Sequence, residues 1–169
     1  MPAAAIKTVL LAVVLLAGLR TTLVRAEEPD TRYTNESLRG KVVWLAEALQ
    51  RRFGLKADDD MLHSVAAIEC ADGRLEPLLK DARGRAFYSD ERLRGVDVEV
   101  SVRRYRGAPM LQVVRVYLLK PNGKYEVDYW CDVCSIAMYE PKACECCQGP
   151  IRLRQRRVDE PNSGDKERP

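Results

Sequence analysis

Five of the six cysteines in this 169-residue chain lie between residues 131 and 147. Four of them form two Cys-x-x-Cys pairs separated by nine residues, Cys131 with Cys134 and Cys144 with Cys147. Structural zinc sites commonly take four thiolates from two tight turns, each of which supplies two sulfur atoms. The spacing therefore predicts a structural Zn²⁺ site with these four cysteines as ligands. Cys146 is a surplus thiol that could replace Cys144 or Cys147.

The segment around the cysteines is too short to fold on a hydrophobic core of its own. About thirty residues bury little apolar surface, whereas structural zinc supplies roughly 10–16 kcal/mol of apparent folding free energy. Residues 124–154 resemble a zinc ribbon in layout, because one predicted strand precedes the first cysteine pair and another, Ile151–Arg154, follows the second. The spacer is shorter than the roughly 15–20 residues usual between paired knuckles.

Two other chemistries stay open for the same cysteines. An exported chain meets oxidants, so Cys70 could form a disulfide with a member of the cluster, although pairs within the cluster would close small loops of little entropic benefit. A redox-active Cys131–Cys134 pair is expected at the start of a helix, but Pro141 follows too soon for a good one. Four thiolates also suit iron or copper.

The first 26 residues have the organisation of an export signal. Lys7 precedes the apolar segment Thr8–Leu19, and Val24-Arg25-Ala26 provides small or short residues at a cleavage position. Twelve helical residues span about 18 Å, well short of the roughly 30 Å hydrocarbon core of a bilayer. We therefore expect a cleaved signal, no membrane span after cleavage, and a protein exported to the periplasm, the cell envelope or the medium.

Removal of the signal changes the charge balance. The chain has 28 basic and 25 acidic residues, and the signal contains three of the basic ones (Lys7, Arg20 and Arg25) and no acidic one, which leaves 25 of each. A neutral chain gives no support for nucleic-acid binding through net charge. The sequence identifies no partner, and another exported or envelope protein is the kind that we expect.

After a flexible leader over residues 27–34, the sequence predicts an N-terminal helix. Apolar residues spaced by three and four fall on one helix face: Leu38, Val42, Leu45, Leu49 and Phe53. Asn35 fits the N-cap, and Gly54 fits the left-handed stop at the C-terminus.

From residue 65 the hydrophobic period changes to two, which predicts about five short antiparallel strands. We expect them over Val65–Cys70, Arg74–Leu79, Val96–Arg103, Met110–Leu119 and Lys124–Trp130. A helical turn over Ser89–Gly95 separates the second from the third. This order suits a small OB-like barrel, although the helical element comes earlier than such barrels place it. A twisted antiparallel sheet covered by the first helix is the alternative.

The predicted fold is therefore α+β, with an N-terminal helix, a small antiparallel β-barrel or sheet that is OB-like, and a C-terminal zinc-ribbon-like hairpin. The expected organisation is a signal peptide (1–26), a flexible leader (27–34), the helix and OB-like β domain (35–130), a Cys-rich ribbon (131–157) and a disordered tail (158–169). The tail is charged and rich in proline and glycine, a composition typical of disorder.

The remaining residues indicate no catalytic site. His63 is the only histidine, and its neighbours Ser64 and Asp58–Asp60 are too close in sequence to converge readily in triad geometry. Arginines and tyrosines alternate between residues 83 and 117, as on faces that bind polyanions or oligosaccharides. Because acidic residues are interleaved, we favour a salt-bridged outer face.

Several segments together resemble a group of exported bacterial proteins of uncharacterised function. They are DGRLEPLLKDARGRAF, VEVSVRRY, LQVVRVYLLK and YEVDYWCDVC with CECCQGPIRLR. The resemblance covers most of residues 38–154, and the cysteine segment is its most distinctive part. It implies no activity.

The predicted function is an exported, non-enzymatic binding or scaffold module with a structural Cys₄ zinc site. The alternative is a thiol–disulfide or metal-handling redox protein that uses the C-terminal cysteine cluster, through Cys131–Cys134 or through Cys146. No catalytic residue and no organic cofactor are predicted.

Overall fold

The computed structural model of the protein describes residues 32–158. The predicted signal peptide, residues 27–31 of the predicted leader and the tail after Val158 lie outside these residues, whereas the last two leader residues, Tyr33 and Thr34, belong to a strand. None of the helices within residues 32–158 combines the length and the apolar character that a membrane span requires.

The described residues form eight strands and two short helices, with single 3₁₀ turns at Asp59–Met61 and Glu91–Leu93. In chain order the elements are β1 (Tyr33–Trp44), α1 (Leu45–Phe53), β2 (Ala66–Cys70), β3 (Leu75–Pro77), α2 (Ala86–Ser89), β4 (Asp97–Tyr105), β5 (Gln112–Lys120), β6 (Gly123–Cys131), β7 (Ile136–Met138) and β8 (Arg152–Arg157).

All eight strands belong to one antiparallel sheet within residues 32–158. The strand order is β3-β2-β1-β4-β5-β6-β7, and β8 pairs with the other edge of β6. The predicted antiparallel sheet is therefore confirmed, and the described residues are mostly sheet with few helices. The sheet is not closed into a barrel, so the OB-like barrel is not confirmed. The chain just after β3 nevertheless forms one parallel bridge to the start of β5, between Leu78 and Leu111.

The predicted helix over residues 38–53 is wrong in its first half. β1 extends to Trp44, and only Leu45–Phe53 is helical. Leu38 and Val42 are both buried, and a spacing of four places two side chains on one face of a strand as well as on one face of a helix. The predicted stop at Gly54 is confirmed, because this residue takes the left-handed conformation with φ of 69°.

Gly40 allows β1 to pair closely with both of its neighbouring strands. It lies opposite Cys70 on β2 and opposite Val98 on β4, at the point where β1 pairs with both neighbours. A Cβ atom at Gly40 would lie 2.1 Å from the backbone oxygen of Glu69. Glycine is therefore required for the close approach of β2 to β1.

The core lies on one face of the sheet and continues into the cysteine segment. Val98, Val100 and Val102 of β4 are buried on this face, and Phe87 of α2 packs against the same cluster. The cluster also includes three residues from the cysteine segment, Cys131, Met138 and Cys144.

β6 connects the sheet to the cysteine segment. Its first residues pair with β5, from Lys120↔Gly123 to Tyr117↔Glu126. Its last residues, 129–131, pair with β7 along the same edge, while β8 pairs with the opposite edge of β6. Because one strand belongs to both parts, the orientation of the cysteine segment is fixed by the sheet.

Candidate metal centre

The four cysteines predicted as ligands lie together. The Sγ atoms of Cys131, Cys134, Cys144 and Cys147 are all within 4.8 Å of one another, and those of Cys131 and Cys147 are 3.5 Å apart. Four sulfurs around one zinc ion, each at about 2.3 Å, are separated by roughly 3.8 Å. The four side chains are therefore close enough to bind one metal ion.

The separations do not fit disulfide bonds, in which the sulfurs are about 2.05 Å apart. All six cysteines are free thiols. Cys70, the predicted partner for a disulfide with the cluster, is buried in β2, and three strands (β1, β4 and β5) lie between β2 and β6 in the sheet.

The first pair forms a tight turn at the end of β6. The backbone N–H of Cys134 donates to the sulfur of Cys131 at 3.4 Å, and the N–H of Ser135 donates to the carbonyl oxygen of Cys131 at 2.9 Å. Ser135 takes a positive φ of 54°, after which β7 begins at Ile136. The chain thus reverses direction around the Cys131 sulfur.

The second pair forms a turn of the same kind. The N–H of Gln148 donates to the carbonyl oxygen of Cys144 at 2.9 Å, and Gln148 takes a positive φ of 59°. Gly149, the next residue, is not among the glycines with positive φ. Gly149 contributes in another way: its carbonyl accepts from the N–H of Cys144 at 2.9 Å, and a Cβ here would lie 3.3 Å from the Cys147 sulfur.

We call these two turns knuckle 1 (residues 131–135) and knuckle 2 (residues 144–148). Ser135 and Gln148 are the two non-glycine residues with positive φ in residues 32–158, and each follows the last cysteine of its knuckle. This conformation costs a non-glycine residue roughly 1–2 kcal/mol. The same strain at the same position in both turns indicates that the turns are shaped to present sulfur atoms.

The cluster has a buried edge and an exposed edge. Cys131 and Cys144, the first cysteine of each knuckle, are fully buried. Cys134 is partly buried and Cys147 is exposed. Cys146 is also exposed and lies outside the group of four.

The thiols differ in acidity. Backbone N–H groups of Cys147 and Cys146 point at the Cys144 sulfur and, against the effect of burial, lower its pKa to about 7. The N–H of Cys134 favours the thiolate of Cys131, but burial and the nearby thiols outweigh this contribution and raise its pKa. The thiols of Cys146 and Cys147 raise the pKa of Cys134. Four thiolates this close together need a bound cation to stay ionised.

Exposed salt bridges connect the two knuckles to neighbouring parts of the chain. Both carboxylate oxygens of Asp132 in knuckle 1 accept from Arg152 of β8 at 3.0 Å, and Lys142 lies 2.6 Å from Glu145 in knuckle 2. These pairs are exposed, so each contributes little stability, but they connect each knuckle to neighbouring chain.

A buried hydrogen bond anchors β6 close to the cluster. The hydroxyl of Tyr129, two residues before Cys131, donates to Asp90 at 2.6 Å. Arg92 donates to both carboxylate oxygens of Asp90, at 2.8 and 2.7 Å. Burial, followed by the Asp90 carboxylate, raises the pKa of Tyr129, so this hydroxyl keeps its proton and the end of β6 stays fixed.

His63 and Ser64, the histidine and serine considered for a triad, have separate hydrogen-bond partners. His63 contacts Glu47 at 2.8 Å, whereas the Ser64 hydroxyl donates to the Met61 carbonyl at 2.7 Å.

The arginine-rich region is a salt-bridged surface, as favoured above. Arg104 pairs with Glu36 at 2.9 Å and with Glu76 at 3.1 Å, and Arg85 pairs with Glu140 at 3.2 Å.

Comparisons with protein-family models, with curated proteins and with solved structures found no match to this chain. The resemblance to a group of exported bacterial proteins gains no support from them.

Proposed function

We propose that the four cysteines hold a structural zinc ion, and that the protein is a non-enzymatic binding or scaffold module. The observation that carries the proposal is the pair of matching knuckles, which bring four sulfur atoms within 4.8 Å of one another. Four thiolates in a tetrahedral arrangement are the donor set of structural zinc sites, which leave no position for a substrate. Sulfur ligands alone also suit iron or copper, so the metal itself is part of the proposal.

The role proposed for the metal is to join the ends of three strands. Cys131 ends β6, knuckle 1 leads into β7, and knuckle 2 precedes β8, which returns along β6 from Trp130↔Arg152 to Tyr125↔Arg157. The stretch from 139 to 151 contains no helix or strand. A metal ion bound to both knuckles would fix this stretch, which has little apolar surface with which to fix itself.

We also propose that the first five strands form an OB-like, partly open barrel. The order β3-β2-β1-β4-β5 and the parallel Leu78–Leu111 bridge support it, because the bridge brings the two ends of this series together. Once β1 is counted as a strand, α2 falls between the third and fourth strands, where OB-type barrels carry their helix.

We propose that the binding surface lies on the connection between β1 and β2. Three large apolar side chains are exposed there within nine residues: Phe53 (61%), Leu55 (56%) and Met61 (52%). The corresponding connection in OB-type barrels takes part in ligand binding. The expected partner is another exported or envelope protein, and the proposed location is outside the cytoplasm.

The redox alternative is less well supported by the site. A reactive cysteine needs a low pKa and access to solvent. Cys144 has the lowered pKa but is fully buried, and the pKa values of Cys131 and Cys134, the pair proposed for this role, are raised.

Elemental analysis with thiol counting on protein recovered from its native compartment tests the proposal. We expect about one zinc ion per chain, as for a Cys₄ site, and six free thiols once the protein is denatured with a chelator. Cys131→Ser purified in parallel should lose the zinc. Metal-free protein with fewer free thiols would contradict the zinc site and favour disulfides, whereas metal-free protein with rapid thiol exchange would favour the redox alternative.

A photo-crosslinking side chain at Leu55 tests the binding surface, with the same side chain at the exposed Val133 as the control. A crosslink to one exported protein from position 55 alone would support the surface, and equal products from both positions would contradict it.

A further inference from the structure

β8 gives the sheet an open edge. Within residues 32–158 this strand, Arg152–Arg157, pairs with β6 alone. Four of its six residues are exposed and the other two are half-buried. The other strands with a single partner, β3 and β7, have three residues each. β8 is therefore the longest strand in this part of the chain that has one side unpaired along its whole length.

The register shows which backbone groups of β8 face the open edge. The N–H of Val158 donates to the carbonyl oxygen of Lys124 at 3.0 Å, one position beyond the last residue of β8. Hydrogen-bonded positions alternate with non-bonded positions along an antiparallel pair. The even-numbered residues of β8 therefore bond to β6, and the odd-numbered residues point their N–H and C=O groups away from it. The backbone groups of Leu153 and Gln155 thus face the open edge.

Three arginines on one face of β8 each keep a free amino group. The Nε and Nη2 atoms of Arg154 donate to Asp128 at 2.9 and 2.7 Å, and the same two atoms of Arg152 donate to Asp132 at 3.0 Å. Arg156 donates through Nη2 to a carboxylate of β6 at 2.9 Å. Within residues 32–158, the Nη1 groups of these three arginines make no hydrogen bond. A guanidinium has five N–H donors, so each arginine can accept a second carboxylate as a partner.

We propose that the open edge of β8 binds an extended segment of a partner protein as an additional strand, with acidic residues at alternate positions of that segment. This inference goes beyond the proposed function, and it needs neither the zinc ion nor the surface on the connection between β1 and β2. The backbone of the added strand pairs with Leu153 and Gln155. Its acidic side chains lie on the same face as the arginines and accept from their Nη1 groups. Because Leu153 packs against the core, an apolar residue fits opposite it.

The charges favour an acidic partner over a second copy of this chain. Two β8 strands paired with their arginine faces on the same side would place arginine opposite arginine, and like charges directly opposite each other destabilise a strand pair. β8 contains four arginines and no acidic residue. The salt bridges from β8 reach three carboxylates, those of Asp132, Asp128 and Glu126. The surface is therefore only weakly basic, so a ligand that recognises net charge alone gains less from it than a strand that also uses the backbone groups.

Binding of a short peptide with blocked ends to the full chain tests the inference. The peptide Thr-Glu-Val-Glu-Val-Glu-Thr reads the same in both directions, so it presents alternating acids to β8 in either orientation. We expect saturable binding in calorimetry, and about tenfold weaker binding of Thr-Val-Glu-Glu-Glu-Val-Thr, which has the same composition and charge but has lost the alternation. Equal binding of the two peptides, or no binding of the first, would overturn the inference.

Two substitutions at Gln155 separate backbone pairing from attraction between charges. Gln155→Pro removes the outward N–H and leaves the hydrogen bonds to β6 in place, so it should weaken peptide binding about tenfold. Gln155→Val is the matched control, because it removes the same side chain and its contact with Lys120 but keeps the N–H, and it should bind the peptide as the wild type does. Equal affinities of the two variants would contradict strand pairing. A heparin fragment that bound as tightly as the peptide and was insensitive to Gln155→Pro would show a general anion-binding surface instead.

Amide hydrogen exchange in the wild type covers the case in which Gln155→Pro fails to fold. In the free protein, the N–H groups of Leu153 and Gln155 should exchange faster than those of Arg154 and Arg156, which bond to β6. The alternating peptide should slow the exchange of the first two amides and leave the second two nearly unchanged. Amides of Leu153 and Gln155 that are protected before the peptide is added, or that stay unprotected when it is bound, would overturn the inference.

Discussion

Glu99 provides a quantitative test of the sheet that positions the cluster. Its carboxylate lies on the outer face of β4, with only 9% of the side chain exposed. It accepts hydrogen bonds from Lys124 of β6, from Arg39 at 2.7 Å and from Ser37 at 3.0 Å. Lys124 first, and then Arg39 and Ser37 against the effect of burial, lower the pKa of Glu99 from 4.5 to about 2.

The size of the effect follows from this shift. A difference of about 2.5 pKa units between the unfolded and folded states is worth about 3 kcal/mol of stability. Because the pKa is lowered on folding, the contribution is fully present above pH 4.5 and is lost as the pH falls towards 2. Glu99→Gln should therefore lower the free energy of unfolding by about 2–3 kcal/mol at pH 7, and this difference should disappear near pH 2.

Urea unfolding of both proteins between pH 2 and pH 7 measures this difference. Acid also removes a metal from thiolates, but it does so in both proteins, so the difference between them reports on Glu99. Glu91→Gln, at an exposed residue, is the control and should change stability by less than about 0.5 kcal/mol at every pH. A Glu99→Gln effect that stays constant from pH 7 to pH 2 would refute the argument from the pKa.

Four further substitutions, used in three experiments, test the cluster and the sheet. Cys131→Ser should lower Tm only when zinc is present. Cys70→Ser, at a buried thiol outside the cluster, is the control and should lower Tm equally with zinc and with chelator. If the Tm changes of both variants depended equally on zinc, the ligand assignment would be contradicted. Gly40→Ala should lower the free energy of unfolding in urea by more than about 2 kcal/mol, because the alanine Cβ would lie 2.1 Å from the Glu69 oxygen. A decrease of less than about 1 kcal/mol would show that β2 does not approach β1 so closely. Gln148→Gly should raise the free energy of unfolding by about 0.5–1 kcal/mol by relieving the positive φ of 59°, and a loss of stability would argue against this turn geometry.

The cysteine cluster could be predicted from the sequence because its signal is local. Each Cys-x-x-Cys pair forms its own turn, and residue type and spacing alone indicate four sulfur donors. The sequence did not reveal that Ser135 and Gln148 would take positive φ, because neither residue type favours it.

The N-terminal helix shows where sequence periodicity fails. Leu38 and Val42 satisfy the helix period and the strand period equally, and Gly40 between them interrupts the alternation that would have identified a strand. The pairing of β1 with β2 and β4 decides the outcome, and the paired residues lie 22 (Trp44↔Ala66) to 72 (Tyr33↔Tyr105) residues later in the chain. β7 was missed for a related reason, since its three residues, Ile136–Met138, are extended only because they pair with β6.

X-ray absorption at the zinc edge, on protein purified without oxygen from its native compartment, tests the central claim most directly. We predict four sulfur neighbours at about 2.3 Å and no nitrogen or oxygen ligand. Zinc bound by nitrogen or oxygen, or a protein that is fully folded without any metal, would contradict the claim that these two knuckles form a structural zinc site.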